Sequence, residues 1–115
     1  MRKGETNIML AMISQPMTGL AEKEIMQTRQ RAAAALAGMG YDAVNTYFVN
    51  DPWYSAVSMK ERGVVHFPLL FLGAAIEKMS KCTAVYFCRG WQDSRGCQIE
   101  HEIAKKYGLE CIYES

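Results

Sequence analysis

The chain has 115 residues, half of them hydrophobic, and 13 basic against 12 acidic side chains give a net charge of +1. That length supports one domain over residues 1–115, built around a single core. The balanced charge offers no electrostatic handle for nucleic acid or a membrane surface, so a small molecule is the expected partner.

Met1-Arg2-Lys3 opens with charge, but the apolar run behind it is too short for a secretory signal and reads as a strand over Asn7–Ile13. Nearly every residue in that run is apolar, as in a strand covered on both faces. Ser14-Gln15-Pro16-Met17-Thr18-Gly19 then forms a loop at the strand's carboxyl end. Leu20 to Met39 predicts a helix with Ile25, Thr28, Ala32, Leu36 and Met39 on the inward stripe. Glu22, Lys23, Arg29 and Arg31 occupy its other faces, and Gly40 supplies the stop.

Tyr41 to Asn45 predicts a second strand. Thr46 to Ser58 is aromatic, carries Asn50-Asp51-Pro52 and has no period, so it reads as a long loop before a helical turn at Met59–Arg62. Loops of that length are usually functional or interfacial. Pro68 to Lys81 predicts a helix with proline in its first turn and Leu72, Ala75, Ile76 and Met79 facing inward. Thr83 to Cys88 is the third strand and Arg89 to Asp93 a loop. Gly96 to Tyr107 is the last helix, with Ile99, Ile103 and Tyr107 inward and Gly108 as stop. Leu109 to Tyr113 is the fourth strand.

This alternation predicts an α/β fold with a parallel sheet and helices on both faces. In such sheets ligands bind beyond the carboxyl ends of the strands, where the winding reverses. Two loops fall there, Ser14–Gly19 and Arg89–Gly96. The second leads into Ser94-Arg95-Gly96-Cys97-Gln98-Ile99-Glu100, which sets a hydroxyl and a glycine at a helix start and a carboxylate on its next turns. Free backbone amides there suit an anion or a sugar hydroxyl, and Glu100 is a potential nucleophile.

Each of these residues also has a purely structural reading. Ser94 is a natural N-cap, with Asp93 as a competitor, and Gly96 suits either a ligand's approach or a tight helix entry. Glu100 sits at the edge of the predicted core face, where the helix dipole favours a carboxylate anyway. Ser14 and Thr18 either shape the turn around Pro16 or hold ligand hydroxyls. Glu102 is placed to pair with Lys105 or Lys106 on the helix surface. His101 lies about 100° around the helix from Glu100 and is expected at the surface. Trp91 and Tyr47 either stack on a base or cover the site.

Neither G-x-G-x-x-G nor G-x-x-x-x-G-K-[ST] occurs, which excludes dinucleotide and ATP binding by those routes. Cys82, Cys88, Cys97 and Cys111 form no C-x-x-C pair, and only His66 and His101 accompany them. Free thiols in a reducing cytoplasm are expected, rather than zinc. No apolar run approaches the ~20 residues of a membrane span.

With Ile13-Ser14-Gln15-Pro16-Met17-Thr18-Gly19 at the front and Gly90-Trp91-Gln92-Asp93-Ser94-Arg95-Gly96-Cys97-Gln98-Ile99-Glu100-His101-Glu102-Ile103-Ala104 at the back, the chain resembles the nucleoside 2-deoxyribosyltransferase-like superfamily. Within it, the chain is most similar to the branch called domain of unknown function 4406. The S-x-G-x-x-x-E-x-x-x-A segment, Ser94 to Ala104, is the specific part, and the P-M-T-G loop is the second anchor. The resemblance implies a flavodoxin-like three-layer sandwich with four to five parallel strands. It also implies homo-oligomers whose sites borrow residues from a neighbour, a nucleoside or nucleotide ligand, and no metal or organic cofactor.

By the same resemblance, Glu100 would attack the anomeric carbon of a deoxyribose, for transfer to another base or for hydrolysis. Ser94 would contact a 5′-phosphate, and Ser14, Gln15, Pro16, Met17, Thr18 and Gly19 would line the ligand; Trp91 and Gly96 join them as candidates from their place in the second loop. The chain departs from active members at two positions. Ala75 stands about where an aspartate holds the sugar hydroxyls, and Thr83 where a second aspartate is common. Loss of an orienting carboxylate costs catalytic power, because positioning is a large part of such catalysis. A silent nucleotide-binding or sensing module is therefore the alternative. A third reading is a structural protein that self-associates through the aromatic loop Tyr47–Tyr54.

Overall fold

A computed structural model describes residues 9–115. Asn7 and Ile8, at the start of the predicted first strand, lie outside the described residues. Four parallel strands, β1 (Met9–Ser14), β2 (Tyr41–Val44), β3 (Ala84–Phe87) and β4 (Glu110–Tyr113), form one sheet in the order β2-β1-β3-β4. The longer helices are α1 (Glu22–Gly38), α3 (Phe67–Met79) and α4 (Arg95–Lys106), with a short α2 (Ala56–Glu61) between β2 and α3. This is the predicted α/β sandwich, with four strands.

Strand alternation sorts the core into two halves. Ala11 and Ile13 of β1, with Ala84, Tyr86 and Cys88 on the β3 side, face α1 and pack on its Ala32 and Leu36. Met12, Val85 and Phe87 point the other way, onto Ala75 and Met79 of α3 and Ala104 of α4. Both faces are covered, which is why these strands read as continuous apolar runs. The chain leaves β1 for β2 on one side and returns to β3 on the other, so the winding reverses between β1 and β3. There Ser14 lies opposite Phe87, and the Cys88 amide donates to the Ser14 carbonyl at 2.9 Å.

Several element boundaries shift for local reasons. Ser14 closes β1 rather than opening the loop, because it is still paired with β3. Gly40 stops α1 as expected, at a φ of 89°, but Met39 is the C-cap residue and half-exposed instead of inward. The predicted Thr46–Ser58 loop contains a 3-10 turn at Pro52–Tyr54, capped by Asp51, and then α2, capped by the Ser55 side chain. Phe48 is buried in that segment and stacks on Tyr54 at 4.4 Å, with Phe71 of α3 beyond it at 6.5 Å. Those rings are used inside the fold, whereas Trp53 faces outward with Arg62 stacked 3.7 Å over its ring.

The inward face of α4 differs from the predicted one. Cys97, Glu100 and Ala104 are its buried residues; of the predicted stripe only Ile103 packs against the core, whereas Ile99 is 38% exposed and Tyr107 80% exposed. The small Cys97 and Ala104 let the helix approach the sheet, and that close approach selects the face over the bulkier apolar side chains. Glu100 is thereby turned from the edge of the core into it.

Candidate functional site

The site grows from the end of β1. Ser14 has the same parity as Met12 and so faces α4, where its hydroxyl donates to Glu100 Oε1 at 2.6 Å. Ser14 is 1% exposed and Glu100 9% exposed. Glu100 is the sole acid among the buried polar side chains of the described residues, which otherwise comprise Ser14, Gln15 and Thr46. Burial pushes the Glu100 carboxyl up to about 7, and the Ser14 hydroxyl holds it back from rising further. The bond engages Oε1. No buried side-chain oxygen among the described residues lacks a partner, so Oε2, which Ser14 does not engage, is not sealed away unpaired.

Gln15 has the opposite parity and faces α1. Its amide nitrogen donates to the Ile25 carbonyl at 3.1 Å, and its amide oxygen accepts from Arg29 Nη1 at 2.9 Å. Adjacent residues at one strand end thus hold a carboxyl on one side of the sheet and a guanidinium on the other. Arg29 was expected on a solvent face of α1 but is half-buried, and desolvation lowers its pKa from the ordinary arginine value.

The two predicted loops meet. Gly90 adopts a φ of 86°, and a Cβ placed there would lie 3.6 Å from Pro16 Cγ. Positive φ is what requires glycine at this position. Beyond Pro16, Met17 and Thr18 are exposed, and the Leu20 amide closes a turn onto the Met17 carbonyl at 3.2 Å, with Gly19 at a φ of 78°. Ser14, Gln15 and Pro16 thus form the more buried end of the predicted front loop, and Met17, Thr18 and Gly19 its exposed end.

Ser94 is the N-cap of α4, its hydroxyl accepting from the Cys97 amide at 3.5 Å, and Asp93 does not compete for that position. Gly96 lies within the first turn in open space, with nothing within 4 Å of a Cβ placed there. It marks neither a tight entry nor a crowded backbone. Cys97 is buried beside the pair, and burial raises its thiol pKa, so it stays a neutral packing group. Burial likewise pushes the Cys88 thiol up to about 12.

His101 is not a free surface residue. Its Nε2 is 2.7 Å from the Tyr113 hydroxyl, and its ring lies 4.2 Å from Trp91 and 4.9 Å from Phe87. Desolvation lowers its pKa. Trp91 is therefore already packed inside the fold, tilted against His101 at 4.2 Å and against Phe87 at 5.3 Å. Tyr47 lies with Arg29 in a different depression, on the α1 side. Glu102 pairs with Lys106 at 3.3 Å on the exposed face, as its spacing predicts.

The family model described as Domain of unknown function (DUF4406) matches residues 9–113, nearly the whole chain. The chain belongs to the DUF4406 family. No curated protein and no solved structure gives a significant match. Within this DUF4406 chain, the described residues contain no group of three His, Cys, Asp or Glu side chains able to hold a metal ion. No helix among them is long and apolar enough to cross a membrane.

Neither of the two positions where the resemblance leads one to look for aspartates offers a polar partner to Glu100. Thr83 precedes β3 at its amino end, where its amide donates to the Leu10 carbonyl, while Glu100 meets the carboxyl end of β1. Ala75 is buried in the core with Met12 and Met79. The acids Asp51 and Glu77 are placed elsewhere. Asp51 Oδ1 accepts from the Trp53 amide at 3.0 Å, and Glu77 lines an open depression with His66 and Gly73.

Proposed function

We propose that this protein binds a nucleoside or nucleotide in the crevice between β1 and β3, with Glu100 as the group that attacks the sugar. The observation that carries the reading is the buried Ser14–Glu100 pair at 2.6 Å, set where the sheet's winding reverses. Ser14 fixes one carboxylate oxygen and leaves the other for the anomeric carbon. In the proposed step Glu100 Oε2 forms a bond to that carbon as its bond to the base nitrogen breaks. The base leaves with the bonding electrons and takes up a proton from solvent. Water, or a second base, then attacks the same carbon and releases the carboxylate. The resemblance to the deoxyribosyltransferases supports the same role for Glu100 and a ligand-contacting role for Ser94.

A second reading has its own support. Retaining glycosidases place two carboxyl groups about 5–5.5 Å apart, and Glu100 is the sole buried acid among the described residues. A module that binds a nucleotide without turning it over fits a solitary carboxyl. Chromatographic detection of free base from deoxynucleosides and their monophosphates separates the two. Base release that disappears in Glu100→Ala supports the enzyme; thermal stabilisation by the same compounds with no base released supports the sensor.

Ser14→Ala tests the pair itself. The hydroxyl favours the ionised carboxylate, so its removal raises the Glu100 pKa beyond about 7. The expected displacement is on the order of one unit to the alkaline side. Carbon-13 NMR of labelled glutamate would follow it directly, and an unmoved titration would show that the hydrogen bond does not set the charge.

A further inference from the structure

Arg29 and Arg31 are two residues apart on α1 and are treated in opposite ways. Arg31 has a half-exposed side chain yet meets Glu114 at 2.6 Å. Arg29 is the more buried of the two, and among the described residues no carboxylate lies within ion-pair distance of it. Its side-chain hydrogen bond is to the neutral amide of Gln15, which is itself 5% exposed and fixed by the Ile25 carbonyl. Desolvating a guanidinium against a neutral partner is unfavourable, and a buried scaffold that holds it so has prepared it for a charge supplied from outside.

The place where that charge would sit is present. Arg29 borders a depression of about 540 Å³, open to solvent, together with Asn45, Tyr47 and Asn50. Asn45 Oδ1 accepts from the Tyr47 amide at 3.0 Å, so what its side chain has left to offer a ligand is its amide hydrogens. Gln15 engages Nη1, so the Nε and Nη2 edge of the guanidinium remains as a two-pronged donor. The acid on the rim is Asp51, and its Oδ1 is engaged by the Trp53 amide. Met26, Phe48, Val49 and Pro52 complete the lining, so Arg29 is the one cation in a largely apolar depression. Gln15, just past β1, holds Arg29, while Ser14, the last residue of β1, holds Glu100.

We propose that the Arg29 depression is an anion subsite that takes a phosphomonoester group of the ligand. The inference rests on the nucleoside or nucleotide reading only for the rest of the ligand. The subsite lies on the α1 side of the sheet, whereas Ser94 starts α4 on the other side, so Arg29 and Ser94 are separable by mutation.

The experiment is calorimetric titration of the full chain with inorganic phosphate, deoxyribose 5-phosphate, a deoxynucleoside and its 5′-monophosphate, in wild type, Arg29→Gln, Arg29→Lys and Ser94→Ala. A charge-assisted bidentate contact predicts that wild type prefers the monophosphate over the nucleoside by about 10- to 100-fold. Arg29→Gln is expected to abolish that preference, read as the ratio of monophosphate to nucleoside affinity within each protein. Arg29→Lys keeps the charge but breaks the fork, so it retains a small preference that salt removes. Arg29-dependent binding of phosphate or deoxyribose phosphate, with no binding of the nucleoside compounds, would keep the subsite and overturn the nucleoside reading. A preference intact in Arg29→Gln, or lost only in Ser94→Ala, would overturn the subsite, as would no binding of any phosphate compound by wild type.

Discussion

Glu100→Gln is expected to stabilise the protein above pH 7 while eliminating any base release. The Glu100 carboxyl stands at about 7 in the fold against 4.5 as its ordinary value. Between those two pH values the native state holds a proton that the unfolded chain has lost. The stability contributed by the neutral carboxyl is therefore complete below pH 4.5, declines as pH rises toward 7, and stays lost above that. The difference amounts to ~3 kcal/mol at pH 8, or roughly 10 °C in melting temperature for a chain of this size. Glutamine carries no charge to desolvate, and its carbonyl oxygen still accepts from Ser14. Melting curves of wild type and variant across pH 4 to 9 are expected to diverge through that window. Parallel curves would show that Glu100 does not titrate there.

The same substitution removes the nucleophile. If Glu100 forms the glycosyl bond, base release is expected to fall by ~10³-fold or more, because no other group within the crevice replaces the covalent step. A gain in stability coupled to a loss of turnover is the signature of a charge held at a cost for function. Stabilisation with no turnover in either protein would fit the binding module instead. Activity in wild type, where it exists, is expected to rise with pH through about 7, since only the ionised carboxylate attacks.

The strands and the order of elements were legible because burial on both faces leaves an unbroken apolar run, which few other structures produce. The site was legible in outline for a related reason. Ser14-Gln15-Pro16 and Ser94-Arg95-Gly96 interrupt apolar patterns at strand ends, and the sheet topology brings both loops to one edge. What stayed hidden depends on three-dimensional approach. Ile99 and Tyr107 carry more apolar surface than Cys97 and Ala104, so the pattern alone favours the wrong face of α4, although small residues are what permit close packing on the sheet. The inward turn of Glu100 follows from that face and not from its own chemistry. Arg29 was hidden in the same way, since a charged residue on a helix normally marks solvent, and only the parity of Gln15 at the end of β1 reveals why it turns in. The helix at Ala56–Glu61 is too short for a period, and its clearest sequence sign is the Ser55 cap.

Ala75→Asp is expected to destabilise the protein by ~3–5 kcal/mol and to give no gain in base release. Ala75 is 6% exposed and sits among Met12, Met79, Val85 and Phe87, none of which can pair a carboxylate. An aspartate there would be held neutral or would loosen α3, and either outcome lowers the melting temperature. Its position along the helix matters as much as its surroundings. α3 begins at Phe67 and ends at Met79, whose carbonyl accepts from the Cys82 amide just before β3. The helix thus runs from the carboxyl edge of the sheet toward the amino edge. At 1.5 Å per residue Ala75 lies about 12 Å along it from Phe67, past the middle of the helix and inside the core. If Ala75→Asp instead folded with unchanged stability and raised base release, the residue would have to reach Glu100, and the core placement of α3 would be wrong. The expected failure has a structural meaning. Among the described residues Glu100 is the sole buried acid and α3 presents apolar surface to the sheet, so a second carboxylate would have to come from another segment of the chain or from another molecule.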